Sequence, residues 1–544
     1  MNRKLAAALT IVLVGMMCFS CRVQTVEAAE TIYIRADGSI DPPDAPVSTD
    51  DNVTYTFTGN INDSIVIERD NIVVDGVGYI LQGPGSGNGI DLSSRSNITS
   101  KNTNIKDFSY GISLSRSSRI SISDNSITDN SIGIELGSSS DNSISGNNIT
   151  NNSEGIWVFG YGDSNMISGN NITNNTYHSI RLTSHSSNNS VNGNIIMNSS
   201  SGIELDSSSD NMISGNNITN NYDGIELGSS SDSVISGNNI TANNWAGIGL
   251  GYSSNNNTIF GNNITANNEY GVLLYVSSAY NSISGNNIAN STKGISLDSS
   301  SNYNSIFGNN IRANNEQGIW LQNSLGNSIY GNNMTQNNYS IYLATSLNNT
   351  VSGNNITNNN SGIWLTSSSN NTLSGNNVGG RDGGTGIYLA ESSDDSIFGN
   401  NVTNNGYGIH LLHSSNNSIS RNYITANVNY GIYLEWAGNN KLDHNNFINN
   451  TNQVYSAYSA NILDDGYPSG GNYWSDYNGT DANHDGIGDT PYIIDVNNTD
   501  HYPLMTQYII PEFPTLLIPT VFMIATLLAV IIYRRKTDKR RDIR

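Results

Sequence analysis

A motif close to Asn-Ser-Ile-Ser-Gly-Asn-Asn-Ile-Thr-Asn-Asn-x-x-Gly-Ile-x-Leu-x-Ser-Ser-Ser recurs along most of this chain, and that recurrence limits its fold more than any other feature. The residue before each Asn pair marks the repeat: Gly146, Gly169, Gly193, Gly215, Gly237, Gly261, Gly285, Gly308, Gly331, Gly353, Gly375 and Gly399. Lys101, Asp124, Arg421 and His444 take the same slot outside that run, and the sixteen marks are 22, 23 or 24 residues apart. Within a unit the apolar residues come singly or alternately, as in Ile144, Ile149, Ile156 and Val158, which is the pattern of short strands and not of helices. Three strands of about three residues bury nothing alone, but stacking successive units builds parallel sheets with Ile on Ile inside. The chain therefore reads as all-β: a single-stranded parallel β-helix of about 16 coils. Its 91 Asn residues suit turns and amide ladders running from coil to coil. Leucine-rich repeats have a similar period but need a helical or Leu-x-x-Leu-x-Leu segment, which is absent.

The 544-residue chain carries a formal charge of −22, and seven of its 23 basic residues fall in the last eleven positions. So acidic a body argues against nucleic-acid binding. The only cysteines, Cys18 and Cys21, lie in an apolar N-terminal segment, which excludes a disulfide framework and a four-cysteine zinc site.

Both ends read as export signals. Arg3 and Lys4, an apolar run from Leu5 to Phe19, then Ala28 and Ala29 have the order of a signal peptide over residues 1–29. A retained anchor and acylation at Cys21 are the alternatives. Leu516 to Tyr533 is uncharged and is followed by Arg534, Arg535, Lys536, Lys539, Arg540, Arg541 and Arg544, the pattern of one transmembrane helix with its tail in the cytoplasm. The body is thus expected outside the cell. Between the ends we expect an N-terminal cap with first irregular coils (30–100), the repeats (101–450) and a C-terminal cap (451–510), with sorting signal, helix and tail in 511–544. Caps are needed because open coil ends expose sheet edges.

Two resemblances bear on this. Pro511-Glu512-Phe513-Pro514 resembles the PEF-type C-terminal sorting signals of archaeal surface proteins, which implies that the helix is exchanged for a lipid. The Gly-Asn-Asn-Ile repeats, the opening Ile32-Tyr33-Ile34-Arg35-Ala36-Asp37-Gly38 and the segment Asp70-Asn71-Ile72-Val73-Val74-Asp75-Gly76 resemble the NosD-type β-helix surface proteins of archaea over about residues 30–505. That resemblance implies a right-handed helix, and a wider group of carbohydrate-binding, sugar-cleaving and copper-associated members.

In Gly-Ile-x-Leu the Ile and Leu face inward, so x forms an outward column. Trp320, Tyr342, Trp364, Tyr388, His410 and Tyr433 fill it in six consecutive coils, and Trp157 lies further up. Such a stripe suits a sugar-stacking platform, a flat path for several rings of a neutral glycan; plain cross-strand stabilisation at about 0.5 to 1 kcal/mol per pair is the alternative. Arg181, Glu204 and Glu226 follow Trp157 in the column, with Asp206 two residues beyond Glu204. Carboxylates one strand apart raise each other's pKa, as general acid catalysis requires, although an acidic rod also brings carboxylates together by chance.

Asp481, Asn483, Asp485 and Asp489, with Gly486 and the Ile487 carbonyl, have the spacing of most of an EF-hand calcium loop. Position 12 is Tyr492 and not Glu, so Asp495 is the substitute candidate. The preceding Gly471-Asn472-Tyr473-Trp474-Ser475-Asp476-Tyr477 resembles the closing segment of the same family. Copper is the weaker expectation: of His178, His185, His410, His413, His444, His484 and His501 only His410 and His413 are close. Asn-x-Ser/Thr sequons such as Asn148, Asn171 and Asn217 belong to the repeat itself, and some are expected to carry glycans. The leading expectation is a surface-anchored β-helix that binds polysaccharide or forms part of the envelope. Its rival is a polysaccharide lyase, epimerase or hydrolase.

Overall fold

The computed structural model describes residues 31–380 and 383–509. Each coil contributes three strands, as in Ser143–Ser145, Asn148–Thr150 and Glu154–Phe159. Each strand pairs in parallel with its equivalent one coil on, so Ile144 lies on Ile167, Ile149 on Ile172 and Ile156 on Ile180. Three parallel sheets result, here called the Ser-Ile-Ser, Asn-Ile-Thr and long-strand sheets, with about 18 turns among the described residues. The stacked Ile, Val and Leu side chains fill the interior and are wholly buried.

Most corners of a coil pair a residue in the left-handed region with an inward polar residue that bonds along the axis. Gly146 has φ 67° and Gly169 63°, which is why glycine dominates that slot; Asp124, Arg421 and His444 take it at φ 57°, 56° and 58°. The following Asn is buried, and its Nδ2 donates to the Oδ1 of the next coil, from Asn125 to Asn147 at 3.1 Å, through Asn286 to Asn309 at 3.0 Å, and on to Asn445 and Asn472. A second asparagine column follows the Asn-Ile-Thr strands, a third precedes the Ser-Ile-Ser strands, and serines such as Ser346 and Ser368 make a fourth. A buried amide without partners costs roughly 1–3 kcal/mol, so these corners hold only if the column continues through them. That requirement accounts for the asparagine content.

Three expectations are adjusted. Lys101 is not the first mark: it pairs with Ser123, so Asn102, at φ 52°, holds the slot of Asp124. Parallel stacking begins already at Ile32–Ile34, which pairs with Ile65–Ile67, so the coils exceed sixteen because residues 30–100 form coils despite their degraded repeat. Antiparallel pairing of Val47–Ser48 with Thr56–Phe57, and of Ile40–Asp41 with the first strand, lies at this N-terminal end. At the other end Tyr473–Trp474 adds a last parallel strand on Phe447, and the rings of Phe447, Trp474 and Tyr492 stack at 4.3 and 4.4 Å over the end of the core. The Trp474 indole donates to the buried Asp500 at 2.8 Å, so the Gly-Asn-Tyr-Trp segment is the last rung and its lid. Among the described residues no helix is long and apolar enough to cross a membrane. The expected signal peptide, the Leu516–Tyr533 span and the Pro511–Pro514 motif lie outside the described residues.

Candidate functional site

The long-strand sheet carries two outward columns that matter. The column read from the sequence runs Trp157, Arg181, Glu204, Glu226, Gly249, Leu273, Ser296 and Trp320 in unbroken register. Beside it, two residues before the inward Ile of each strand, run Glu154, His178, Ser201 and Asp223.

These two columns meet in one cluster. His178 lies between two carboxylates, its Nδ1 2.9 Å from Glu154 and its Nε2 2.6 Å from Glu204. Arg181 Nε is 3.1 Å from the same Glu204 Oε2, although its N–H does not point at that oxygen. Burial works against a charged imidazole, but Glu154 and Glu204, which accept its N–H groups and oppose its charge, outweigh burial and push His178 up to about 9. Burial also works against the Glu204 carboxylate, yet His178 and Arg181 hold it below the usual carboxylate range. One coil on, the order reverses. Burial, with the nearby Glu226 charge, pushes Asp223 up to about 7. Burial likewise raises Glu226, whose Oε1 accepts the Tyr275 hydroxyl at 3.1 Å.

Tyr275 reaches Glu226 across an entire coil, and it does so because that coil has glycine at both outward positions. A Cβ on Gly251 would lie 2.2 Å from the Tyr275 ring, so only glycine lets the ring lie there. Gly249 leaves a gap in the column between Glu226 and Leu273, with no heavy atom within 4 Å of where its Cβ would stand. The four side chains on the N-terminal side of this gap are 16–29% exposed, open enough to meet a solute.

Of the sequence candidates, Glu204, Glu226 and Arg181 come together here. Asp206 does not join them: it is exposed and accepts its own neighbour, the Ser207 hydroxyl, at 3.1 Å. Trp157 borders the cluster, its ring stacked on Phe159 and its Nε1 donating to Thr183, and it is separated from the aromatic stripe by several coils. His178, Asp223 and Tyr275 escaped the sequence reading. The first two stand in a column as regular as the one read, two residues before each inward Ile, whereas nothing local marks Tyr275.

The stripe is continuous: Trp320, Tyr342, Trp364, Tyr388, His410, Tyr433 and Tyr455 pair on successive strands. It is not the flat path expected from the sequence. Tyr342 and Trp364 cross at 84°, Tyr388 and His410 at 73°, His410 and Tyr433 at 72°. At these steps the rings avoid face-to-face quadrupole repulsion by turning edge to face, whereas Trp364 tilts at 39° on Tyr388 and Tyr433 stacks at 14° on Tyr455, so the half-buried column is a herringbone interrupted by flatter steps. Burial lowers His410 to about 4, so its imidazole is neutral within the stripe.

In the loop of the C-terminal cap, Asp481 accepts the N–H groups of Asp485 and Gly486, Asn483 that of Asp485, Asp485 that of Ile487 and Asp489 that of Ala482. Ile487 is buried and bridges to Leu504. The donor types suit a hard cation, but they face their own backbone. Among the described residues no three His, Cys, Asp or Glu side chains are disposed to hold a metal ion. His410 lies in the stripe while His413 stacks on Trp436 at 6.1 Å, so this pair does not converge either.

Comparison with known proteins fits this geometry at the level of the fold. Residues 314–479 match the family described as periplasmic copper-binding protein (NosD). Residues 54–196 and 160–288 match the right handed beta helix region. No curated protein matches. Among solved structures, a periplasmic alginate epimerase is 15% identical, with 61% of this chain and 79% of that one covered at a TM-score of 0.40. The catalytic unit of a GH87 alpha-1,3-glucanase from Streptomyces thermodiastaticus is 16% identical over 50% and 59%, TM-score 0.42. A DFA-IIIase from Arthrobacter chlorophenolicus is 12% identical over 58% and 82%, TM-score 0.30. The two family matches and the solenoid together support a NosD-type right-handed parallel β-helix.

Proposed function

We propose that this chain is an exported rod that binds polysaccharide along its long-strand sheet. One observation carries the reading: two adjacent columns on one face of the long-strand sheet hold the His178–Arg181–Glu204–Glu226 cluster, the Gly249 gap and the ring stripe from Trp320 to Tyr455. An extended polymer lying parallel to the rod axis meets all of them. The charge of −22 favours neutral glycans over anionic ones. The periplasmic description of the matching family agrees with a location outside the cell. The apolar segment 516–533 belongs to the same proposal as a membrane anchor, and the Asp481–Asp489 loop as a calcium-bound clasp on the last coil. A copper role finds no support in the histidine positions.

The herringbone packing favours a second reading, in which the rings only stabilise the sheet. Trp364→Ala separates the two when glycan affinity, on an array of neutral and uronic glycans, and melting temperature are measured together. Binding by the wild type that weakens in the variant supports the platform. Absence of any glycan binding by the wild type, with a lower melting temperature in the variant, leaves a passive rod and refutes the proposal.

A further inference from the structure

The cluster around Glu204 and Glu226 holds two carboxyl groups in opposite protonation environments on neighbouring strands. Glu204 is drawn toward the coil before it, where His178 Nε2 and Arg181 Nε approach the same oxygen at 2.6 and 3.1 Å. Glu226 is drawn the other way, to the Tyr275 hydroxyl two coils on. The two carboxyl groups, on strands roughly 4.8 Å apart, thus meet partners on opposite sides. Between Glu226 and Leu273 the column is interrupted at Gly249, and past Gly228 only Asp206 Oδ1, at 3.9 Å, and the Leu205 carbonyl come near. Elsewhere the outward column is filled by side chains, so this recess lies where the two acids stand.

We propose that this cluster hydrolyses glycosidic bonds of a neutral polysaccharide, with Glu226 as the general acid and Glu204 as the general base. This rests on the glycan-binding reading above and adds a reaction to it. Glu226 gives its proton to the glycosidic oxygen as the bond from that oxygen to the anomeric carbon breaks. Glu204 takes a proton from a water whose oxygen forms the new bond to the anomeric carbon. The sum is addition of one water, with both carboxyl groups reset by exchange with solvent, and no cofactor is consumed. The pairing of a carboxyl kept protonated with one kept ionised is what divides acid from base at a glycosidic centre. Burial keeps Glu226 and its neighbour Asp223 protonated to higher pH, while the His178 and Arg181 charges keep Glu204 ionised. Elimination from a uronate would instead need a cation free to neutralise the sugar carboxylate. In this cluster both cations stand beside carboxylates that already balance their charge, His178 between Glu154 and Glu204 and Arg181 next to Glu204.

Tyr275 is a positioning residue that holds the Glu226 carboxyl over the recess.

The test incubates the purified protein with neutral glucans and mannans to which it binds, in water enriched in oxygen-18, and follows new reducing ends. The expected result is reducing ends carrying one heavy oxygen, at a rate lowered at least 100-fold by Glu226→Gln with glycan binding kept. Gly249→Leu, which fills the recess that Tyr275 spans to reach Glu226, is expected to lose turnover while glycan binding is kept. Bound glycans that are never cut, products with an unsaturated sugar end and no heavy oxygen, or turnover unaffected by Glu226→Gln each overturn the hydrolytic proposal while the binding reading stands. Absence of binding to every glycan overturns the reading on which it rests.

Discussion

Asp395 interrupts the asparagine column that runs before the Ser-Ile-Ser strands, and replacing it by Asn should stabilise the rod in a pH-dependent way. Its Oδ1 behaves as an asparagine oxygen would, accepting the Asn371 N–H at 2.7 Å and Nδ2 at 3.2 Å. Its Oδ2 stands where the asparagine rungs have a donating Nδ2, is buried, and has no partner. Burial pushes this carboxyl from 3.8 up to about 7. The folded chain therefore holds the proton to about pH 7 whereas the unfolded chain releases it near 3.8. Folding takes up a proton in that window, so stability falls as pH rises from about 4 to 7 and the loss is complete above it. The full difference corresponds to about 4 kcal/mol as an upper bound, and relaxation of the site brings it to about 2–4 kcal/mol. Asp395→Asn restores the donor and removes the titration. Its gain over wild type should be small at pH 4 and reach that range at pH 8. Because coils open locally, hydrogen exchange of the coils around 371–417, followed by mass spectrometry, reads the effect directly beside chemical denaturation. An equal gain at pH 4 and pH 8 would refute the reasoning, since the ladder would then be indifferent to the proton.

Two outward- and inward-facing glycines give a paired test: in Gly224→Ala the new Cβ would stand 2.4 Å from the Gly247 carbonyl and 2.8 Å from Ile240, whereas Gly249→Ala meets nothing within 4 Å. The first should cost about 1–3 kcal/mol and the second leave melting unchanged or slightly raised, which thermal unfolding decides; equal effects would contradict the packing described. For the C-terminal loop, calcium should raise the melting temperature of the wild type and chelation lower it, with Asp485→Ala insensitive to both, because a ligand bound only by the folded state stabilises it. Identical melting of both proteins with and without chelator removes calcium from this loop.

Much of the fold was legible because of how a β-helix is wired. Residues 22 to 24 apart are stacked neighbours, so aligning the repeat to itself already lists the contacts, and the inward Ile, the Gly at φ near 65° and the buried Asn follow from local turn chemistry. Where the repeat degrades, the same logic slips by one residue, which is how Lys101 was mistaken for Asn102, and it falls silent before the coils that begin at Ile32. The order of the outward column was equally readable, since strand alternation dictates which residue faces out.

What the repeat does not encode is where an outward side chain turns once it is there. His178 bridges Glu154 and Glu204, Tyr275 spans the glycine coil to Glu226, and the stripe tilts into a herringbone, each by choosing a rotamer against neighbours from other coils. The split between an ionised Glu204 and a protonated Asp223 likewise arises from burial and charges contributed by three coils together. The sequence by itself therefore determined the period, the strands, the core and the amide columns, because each depends on residues one repeat apart. Only the tertiary structure decided the site, because its chemistry depends on side-chain directions and shared burial that no single repeat contains.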